Sequence, residues 1–237
     1  MNLRHLACYD RAMTNLSIRA LRGLAITIVV MAAILFLAAG TLHYWQAWIF
    51  LAVFGAAGLA ITLYLMKYDP ELLRRRMRGG PTAEKETSQK IIMWLASFGF
   101  VAILVVSGLD QRFRGSLAPA SIAIAGNILV VLSYAIIFFV FRENSFASAT
   151  IEVAADQKVI STGPYAFVRH PMYAGGLMYF LGMPLALGSW WGLCVAIVTT
   201  PALIWRLFDE EALLAKNLPG YSAYRDKVKF RLAPFIW

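Results

Sequence analysis

Long uninterrupted apolar runs dominate the pattern of hydrophobic and polar positions along this chain. Four of the runs have about the 20 residues that an α-helix needs to cross about 30 Å of hydrocarbon. The last two runs are separated only by Gly188-Ser189, and the first of that pair is short. The pattern predicts an all-α integral membrane protein with about six transmembrane segments, of which the last two form a tight helical hairpin. The runs lie at residues 21–39, 45–66, 91–109, 119–141, 172–187 and 190–207.

The composition agrees with a membrane protein and argues against several kinds of site. Hydrophobic residues make up 60% of the 237 residues, charged residues only 15%, and the mean hydropathy of +0.65 is outside the range of soluble domains. Five further apolar runs behind the first one favour a retained first helix over a cleaved signal peptide. The two cysteines, Cys8 and Cys194, share no short spacing, and the three histidines are scattered. We therefore expect no disulfide framework and no protein-bound metal.

The distribution of Lys and Arg predicts the orientation in the membrane. Four lie before or at the start of the first run, seven between the second and third runs, and nine after the fourth. The opposite side has only Arg112 and Arg114. By the positive-inside rule, both termini are expected in the cytoplasm, in an inner, plasma or ER-type membrane. This asymmetry and attraction to membrane lipids explain the net charge of +9. No basic groove with interleaved aromatic residues suggests a nucleic-acid partner.

Polar residues concentrate towards the end of the chain. Residues 1–141 are predicted to form a four-span N-terminal bundle, and residues 142–237 a C-terminal catalytic region integrated with it. The connector Asp69-Pro70-Glu71 is expected to begin a capped helix, and its Arg74-Arg75-Arg76 run to face lipid headgroups. Residues 145–160 are expected to be extended or irregular.

A polar, aromatic segment punctuated by prolines leads into the fifth apolar run. It ends in Arg169-His170-Pro171, and proline suits the first position of a helix because its φ is preset and its missing N–H is not needed there. A helix N-terminus offers free N–H groups and the positive end of the helix dipole, and Arg169 and His170 add two donors. The segment therefore predicts a cytoplasmic site for a carboxylate or phosphate. Arg169 alone would also be compatible with an arginine that snorkels to the membrane interface.

Several motifs resemble the isoprenylcysteine carboxyl methyltransferase family, part of a wider set of integral-membrane methyltransferases that includes phospholipid N-methyltransferases. The resemblance is strong from about Asn144 onward. In the first four apolar runs it is limited to the pattern of hydrophobic segments. An Arg-His-Pro-x-Tyr motif followed by a Glu-Glu pair at this separation is specific for the group, but it does not specify the acceptor. The motifs are Lys158-Val159-Ile160-Ser161-Thr162-Gly163-Pro164-Tyr165, Arg169-His170-Pro171-x-Tyr173-x-Gly175, Arg206-x-x-x-Glu210-Glu211, Gly220-Tyr221-x-x-Tyr224 and Arg231-Leu232-x-Pro234.

The resemblance implies S-adenosylmethionine as the cofactor, which carries a carboxylate, an ammonium group, a sulfonium and a flat adenine. It also implies that Arg169 and His170 hold the carboxylate through charge-assisted bonds, and that Glu210 takes the ammonium group or a ribose hydroxyl. The family commonly has His where Gln157 stands, and Gln can form hydrogen bonds but cannot titrate. The implied cofactor-binding residues are Gln157, Lys158, Val159, Ile160, Tyr165, Arg169, His170, Pro171, Met172 and Glu210.

Arg206 and Glu210 are the residues predicted to be catalytic. Because they are four positions apart, they share one helix face, and a simple intrahelical ion pair is an alternative. Arg206 lies inside the apolar run, where an arginine marks a functional site by default, so we expect it to bind the acceptor. Glu211 points about 100° away from Glu210 and is either a solvated partner of Lys216 or a second polar residue of the site.

The predicted reaction is direct in-line transfer of a methyl group to a lipophilic acceptor, either a lipid or a prenylated molecule. A carboxylate acceptor, as in a prenylcysteine, needs no general base, and Arg206 would orient it. An amine acceptor such as phosphatidylethanolamine would have to lose a proton, for which Asp209 or Glu211 is available. A steroid-reductase-like enzyme that uses NADPH has a comparable C-terminal design and remains an alternative. Tyr221 and Tyr224 are expected to anchor the chain at the membrane interface.

Overall fold

The computed structural model describes residues 3–114, 118–151 and 156–237, with side chains from Met13 onward. These residues form eight α-helices and two short 3₁₀ turns, and the described part of the chain has no β-strand. The predicted all-α class is confirmed. The helices are α1 (Leu3–Ala39), α2 (Trp45–Tyr68), α3 (Pro70–Arg76), α4 (Thr87–Phe113), α5 (Ala120–Glu143), α6 (Pro171–Ala186), α7 (Trp190–Asn217) and α8 (Tyr221–Lys227), and the 3₁₀ turns are Pro81–Ala83 and Gly163–Ala166.

A helix occupies each of the six predicted apolar runs. Five helical segments in the described part of the chain are long and apolar enough to cross a membrane. The sixth helix, α6, has 16 residues, which is about 24 Å of helix and short of a full span. The five candidate spans are Met13–Ala39, Trp45–Tyr68, Thr87–Phe113, Ala120–Glu143 and Trp190–Asn217.

Small residues let neighbouring helices pack closely. Helix α5 packs on α6, α4 on α7 and α1 on α4. A Cβ at Gly126 of α5 would collide with the backbone of Ala186 in α6, so these two helices touch backbone to backbone. Such contacts between small residues are the usual way in which membrane helices associate, since lipid gives no hydrophobic force to drive their packing.

The predicted hairpin between α6 and α7 is confirmed. Gly188 has a φ of +71°, a conformation that favours glycine, and Ser189 caps α7 by accepting a hydrogen bond from Gly192 N at 2.9 Å. The Ser189 hydroxyl also donates to Asp110 Oδ2 at 2.6 Å, and the Tyr44 hydroxyl donates to the Leu187 carbonyl at 2.6 Å. These bonds fix the hairpin to the end of α4 and to the loop before α2.

The connector after α2 begins as predicted but its arginines differ from the expectation. Asp69 caps α3 by accepting from Leu72 N at 2.9 Å, and Pro70 is the first helical residue. Arg76 does not face headgroups. It turns inward, where its Nη1 donates to the Ser148 carbonyl at 2.9 Å and its guanidinium lies over the ring of Phe141. The expectation of a headgroup-facing cluster was wrong for Arg76, because the Ser148 carbonyl and the face of Phe141 were within reach of its long side chain.

The segment between α5 and α6 is irregular, as predicted for residues 145–160, of which residues 152–155 lie outside the described part of the chain. His170 is the N-cap of α6, and Pro171 is the first helical residue, which confirms the predicted helix start. The C-terminal residues 228–237 return to this helix start. They accept hydrogen bonds from the backbone N–H groups of Arg169 and His170 through the carbonyls of Phe230 and Arg231, both at 2.9 Å.

Candidate active site

A cavity of about 310 Å³ lies where the irregular segment, the start of α6, the second half of α7 and α8 meet. Its volume falls in the usual range of small-molecule sites. Every residue that the sequence predicted for the site contributes to its wall. These residues are Gln157, Lys158, Val159, Ile160, Tyr165, Arg169, His170, Pro171, Met172, Arg206 and Glu210.

Tyr165 is held in the wall from two sides. Its hydroxyl accepts from Asn144 Nδ2 at 2.9 Å, and its carbonyl accepts from the Tyr224 hydroxyl at 2.7 Å. Burial raises the pKa of Tyr165 to about 12, so the phenol is neutral at physiological pH. Tyr165 therefore offers an aromatic face and a fixed hydroxyl, but no charge.

Arg169 is buried and already binds several groups. Its Nη2 lies 2.8 Å from Glu211 Oε1, and its Nη1 donates to the carbonyls of Val228 and Lys229, each at 3.0 Å. Its Nε has no hydrogen-bond partner among the described residues. Arg169 is thus not a freely moving interfacial arginine, and the Nε–H is the donor it retains for another group.

His170 is buried at the N-terminus of α6, and its Nε2 has no hydrogen-bond partner among the described residues. Burial lowers the pKa of His170, although Glu210 and Glu211 act in the opposite direction. The ring is therefore neutral at physiological pH. A neutral imidazole has one N–H and one bare nitrogen, so it can donate one hydrogen bond to an anionic ligand without carrying a charge itself.

Arg206 is buried on α7 and is oriented by residues distant in sequence. Its Nη2 lies 2.7 Å from Glu84 Oε1 and donates to the Ala149 carbonyl at 3.0 Å, while its Nη1 donates to Gln89 Oε1 at 2.9 Å. Its acidic partner is therefore Glu84, and no ion pair with Glu210 occurs. The simple intrahelical pair that the spacing allowed is not formed.

Glu210 is half-buried and is bound by the tyrosine of the Arg-His-Pro-x-Tyr motif. The Tyr173 hydroxyl donates to Glu210 Oε2 at 2.6 Å and lies in the electrostatic field of Arg206. Tyr173 thus connects the two residues of α7 that the sequence predicted to be catalytic. Tyr173 was predicted as part of the motif but without a role in the site.

Glu211 and Asp209 both point away from the cavity. Glu211 is buried and binds Arg169 and also Arg231, whose Nε lies 2.8 Å from Glu211 Oε2. The alternative of a solvated partner for Lys216 was therefore wrong, because two closer arginines enclose the carboxylate. Asp209 accepts from Gln89 Nε2 at 2.6 Å and from the Ser88 hydroxyl at 3.2 Å. Neither acid lines the cavity.

Tyr221 and Tyr224 are not membrane-interface anchors, contrary to the expectation. Both are buried and line the cavity, and burial raises the pKa of each phenol, so both are neutral. They pack with Leu218 and Val228 in a small cluster that closes the cavity beneath α8. Two tyrosines three positions apart on a short helix are compatible with a position at the membrane interface and also with a buried cluster. In this protein they pack in a buried cluster.

The cavity wall carries more positive than negative charge. Its cations are Arg76, Lys158, Arg169 and Arg206, and Glu210 is its one carboxylate among the described residues. Glu84 and Glu211 compensate Arg206 and Arg169 from behind the wall. The arrangement suits a ligand with at least one anionic group.

A protein-family model and a curated relative each match part of this chain. Residues 121–219 match the family model described as phospholipid methyltransferase. The match confirms the predicted resemblance. A stretch of 79 residues is 33% identical to the protein-S-isoprenylcysteine O-methyltransferase of Schizosaccharomyces pombe, covering 31% of this chain and 32% of that relative. The chain thus matches this curated methyltransferase over about a third of its length. Both names are those of methyltransferases, and neither is that of a nicotinamide-dependent reductase.

Proposed function

We propose that this protein is an integral-membrane methyltransferase that uses S-adenosylmethionine and acts on a lipophilic acceptor, with a carboxylate as the preferred acceptor group. The five apolar helices and the two methyltransferase matches support the membrane and methyltransferase parts of the proposal. The observation that carries it is that all predicted site residues meet in one cavity, whose wall has an excess of positive charge.

The residues of the cavity fit the cofactor. The Nε of Arg169 and the Nε2 of His170 are buried polar atoms without partners among the described residues, and such atoms call for a ligand or water. They lie at the start of α6, whose first N–H groups have no partners within the helix, so the carboxylate of the cofactor would bind here. Glu210 would hold its ammonium group or a ribose hydroxyl, and the backbone of residues 157–160 would line its adenosine part.

The bound cofactor would supply a methyl group already activated on a sulfonium. The protein then has to align the acceptor with this methyl group and to keep water away. Tyr165, Tyr221 and Tyr224 are aromatic residues of the wall and are neutral, so they exclude water without adding charge.

The cavity is better suited to a carboxylate acceptor than to an amine, because an amine needs a general base. An amine has to lose a proton before it attacks, whereas a carboxylate is already deprotonated at physiological pH. The two acids considered as bases, Asp209 and Glu211, are bound to other residues and do not line the cavity. Arg206 lines it and is held rigidly by Glu84 and Gln89, so it would orient a carboxylate that enters from the lipid.

Phospholipid N-methylation is the second candidate function, and the description of the matching family favours it. In that case Glu210, the one carboxylate in the described wall, would have to accept the proton from the amine. The same orientation would serve both candidates, with both termini and the cavity on the cytoplasmic side.

Titrations of the purified protein with S-adenosylhomocysteine and with NADPH test the cofactor part of the proposal. We expect S-adenosylhomocysteine to raise the melting temperature in a concentration-dependent way, because a ligand that binds only the folded state stabilises it. A shift with NADPH and none with S-adenosylhomocysteine would overturn the proposal in favour of a reductase.

A further inference from the structure

The C-terminal loop, residues 228–237, lies at the level where the apolar part of α7 ends. The ring of Trp237 packs edge-on against the ring of Phe208, with 5.7 Å between centroids. Phe208 and Trp205 are both well exposed on α7, which is a candidate membrane span. Exposed aromatic residues near the end of such a helix mark the interface between hydrocarbon and headgroups. The loop therefore lies beside this interface.

The tip of the C-terminal loop is apolar and unusually exposed. Phe235 is 89% exposed and Ile236 is 84% exposed. The N–H groups of Arg231, Leu232 and Ala233 converge on the Trp237 carbonyl at 2.8–3.3 Å, and this turn directs the tip outward. Phe235 has a φ of +66°, a conformation that costs energy for a side chain other than glycine. A loop that is closed by its own hydrogen bonds and exposes two apolar side chains is suited to insert them into a membrane interface.

Exposed cations flank the apolar tip. Arg225, Lys227 and Lys229 are all exposed, and Asp226 is the acidic residue among them, so this stretch has a net charge of +2. Arg231 is left out of this count because it is bound to Glu211, a carboxylate that it shares with Arg169. Basic residues beside apolar side chains favour a bilayer surface that contains anionic phospholipids, with each Lys or Arg adding to the attraction.

The loop is also bonded directly to the start of α6. Arg169 N and His170 N donate to the Phe230 and Arg231 carbonyls, and Arg169 Nη1 donates to the Val228 and Lys229 carbonyls. A loop held in place by the membrane would therefore also hold the backbone of Arg169 and His170.

We propose that the C-terminal loop docks on the headgroup layer of an anionic bilayer, with Phe235 and Ile236 inserted and Arg225, Lys227 and Lys229 on phosphate groups. Docking stabilises the hydrogen bonds between the loop and the Arg169-His170 segment. This proposal does not depend on the reaction that the cavity catalyses, because it concerns only the loop, the helix start and the lipid.

Depth-dependent fluorescence quenching tests the docking. A bimane label is placed at Ile236→Cys in a Cys8→Ser/Cys194→Ser background, and the full chain is reconstituted in nanodiscs with brominated acyl chains, either of phosphatidylcholine alone or with added phosphatidylglycerol. We expect clear quenching in the anionic discs and weaker quenching in the neutral ones. Arg225→Gln/Lys227→Gln/Lys229→Gln should remove this difference, while the matched control Arg19→Gln/Arg22→Gln/Arg78→Gln, which neutralises three exposed arginines elsewhere, should keep it.

Amide hydrogen exchange tests the connection to the helix start without any cofactor. The amides of Arg169 and His170 should exchange about tenfold more slowly in anionic than in neutral nanodiscs, since the three cations together add enough attraction for such a factor. The triple variant in the loop should lose this protection. A label that stays in water in both kinds of disc, or amides that exchange at the same rate in both, would overturn the proposal.

Discussion

Arg206 on α7 and Glu84 in the connector before α4 form a buried ion pair, with 2.7 Å between Nη2 and Oε1 and side chains only 10% and 1% exposed. The pair joins two residues that are 122 positions apart. It fixes the guanidinium in the cavity wall. Glu210, the α7 carboxylate that lines the cavity, is bound by Tyr173 instead. Arg206, to which we assign binding of the acceptor, is therefore positioned by a segment that lies well before the motifs in the sequence.

Arg206→Lys should separate acceptor turnover from cofactor affinity. Lysine keeps the charge but loses the planar fork that Glu84, Gln89 and an acceptor carboxylate would share. We expect turnover of a carboxylate acceptor to fall by about tenfold or more, with a much smaller change in the affinity for S-adenosylhomocysteine. The two quantities are measured by steady-state kinetics and by calorimetric titration.

The control for this variant is Arg112→Lys, which changes an arginine on the side of the membrane opposite to the cavity in the proposed orientation. It should change neither quantity. If Arg206→Lys lowers cofactor affinity as much as turnover, or changes neither, its role in binding the acceptor is wrong.

His170→Ala should weaken the binding of S-adenosylhomocysteine. The variant removes a ring whose buried Nε2 is available to a ligand, and the loss of a hydrogen bond to a charged group costs about 1.5–3 kcal/mol, or roughly ten- to hundredfold in affinity. Calorimetric titration of the folded variant in detergent gives this number. His43→Ala, at an exposed histidine in the loop before α2, is the matched control, and equal affinities in the two variants would exclude His170 from the site.

Glu211→Gln should destabilise the protein strongly. Two arginines, Arg169 and Arg231, bind this buried carboxylate, and removing one partner of a buried ion pair costs about 3–5 kcal/mol because the other charge stays uncompensated. Glu71→Gln is the control, since Glu71 pairs with Arg74 at the surface and such pairs are worth about 1 kcal/mol or less. A thermal melt in which both variants shift the melting temperature equally would contradict the buried clamp.

The stability of the protein should depend on pH through His170. Burial lowers the pKa of its imidazole in the folded state, so between that pKa and about 6.5 the unfolded chain binds a proton that the folded protein does not bind. This contribution to stability is present above about pH 6.5 and is lost as the pH falls towards the folded-state pKa, by at most about 1.4 kcal/mol per pH unit.

Melting temperatures measured from pH 7.5 down to pH 5.5 for the wild type and for His170→Gln check this slope. The wild type should lose more stability than the variant over this interval. Parallel curves for the two proteins would mean that the imidazole titrates as freely in the folded protein as in the unfolded chain.

The sequence predicted most of the fold because the membrane imposes a simple rule on it. A backbone in hydrocarbon has to satisfy its own hydrogen bonds, so long apolar runs become helices. The apolar runs did not predict that α1 begins as early as Leu3 or that α7 continues to Asn217, because helices can extend through polar residues beyond the hydrocarbon. The start of α6 was equally predictable, because Pro171 after His170 is a local signal. The glycine between α6 and α7 predicted the hairpin in the same way.

The partners of the site residues could not be predicted, because they depend on contacts between distant segments. Nothing in the sequence around Glu84 and Gln89 distinguishes them from other polar residues of a connector, yet both bind Arg206. Arg76 belongs to a run of three consecutive arginines, and the sequence does not show that it is the one that turns inward to the Ser148 carbonyl. The type of residue shows only that it is charged. The packing of distant segments decides whether its side chain faces lipid headgroups or a cavity.

Transfer of a labelled methyl group distinguishes a carboxylate acceptor from an amine acceptor. The purified protein in nanodiscs is incubated with methyl-tritiated S-adenosylmethionine and either a farnesylated N-acetylcysteine or phosphatidylethanolamine, and each product is then treated with alkali. A methyl ester releases volatile labelled methanol under alkali, whereas a methylamine keeps its label. We predict alkali-labile label on the farnesylated acceptor and its loss in Arg206→Lys. Label that appears only in phosphatidylethanolamine and survives alkali, or no transfer to either acceptor, would rule out the proposed carboxyl methylation.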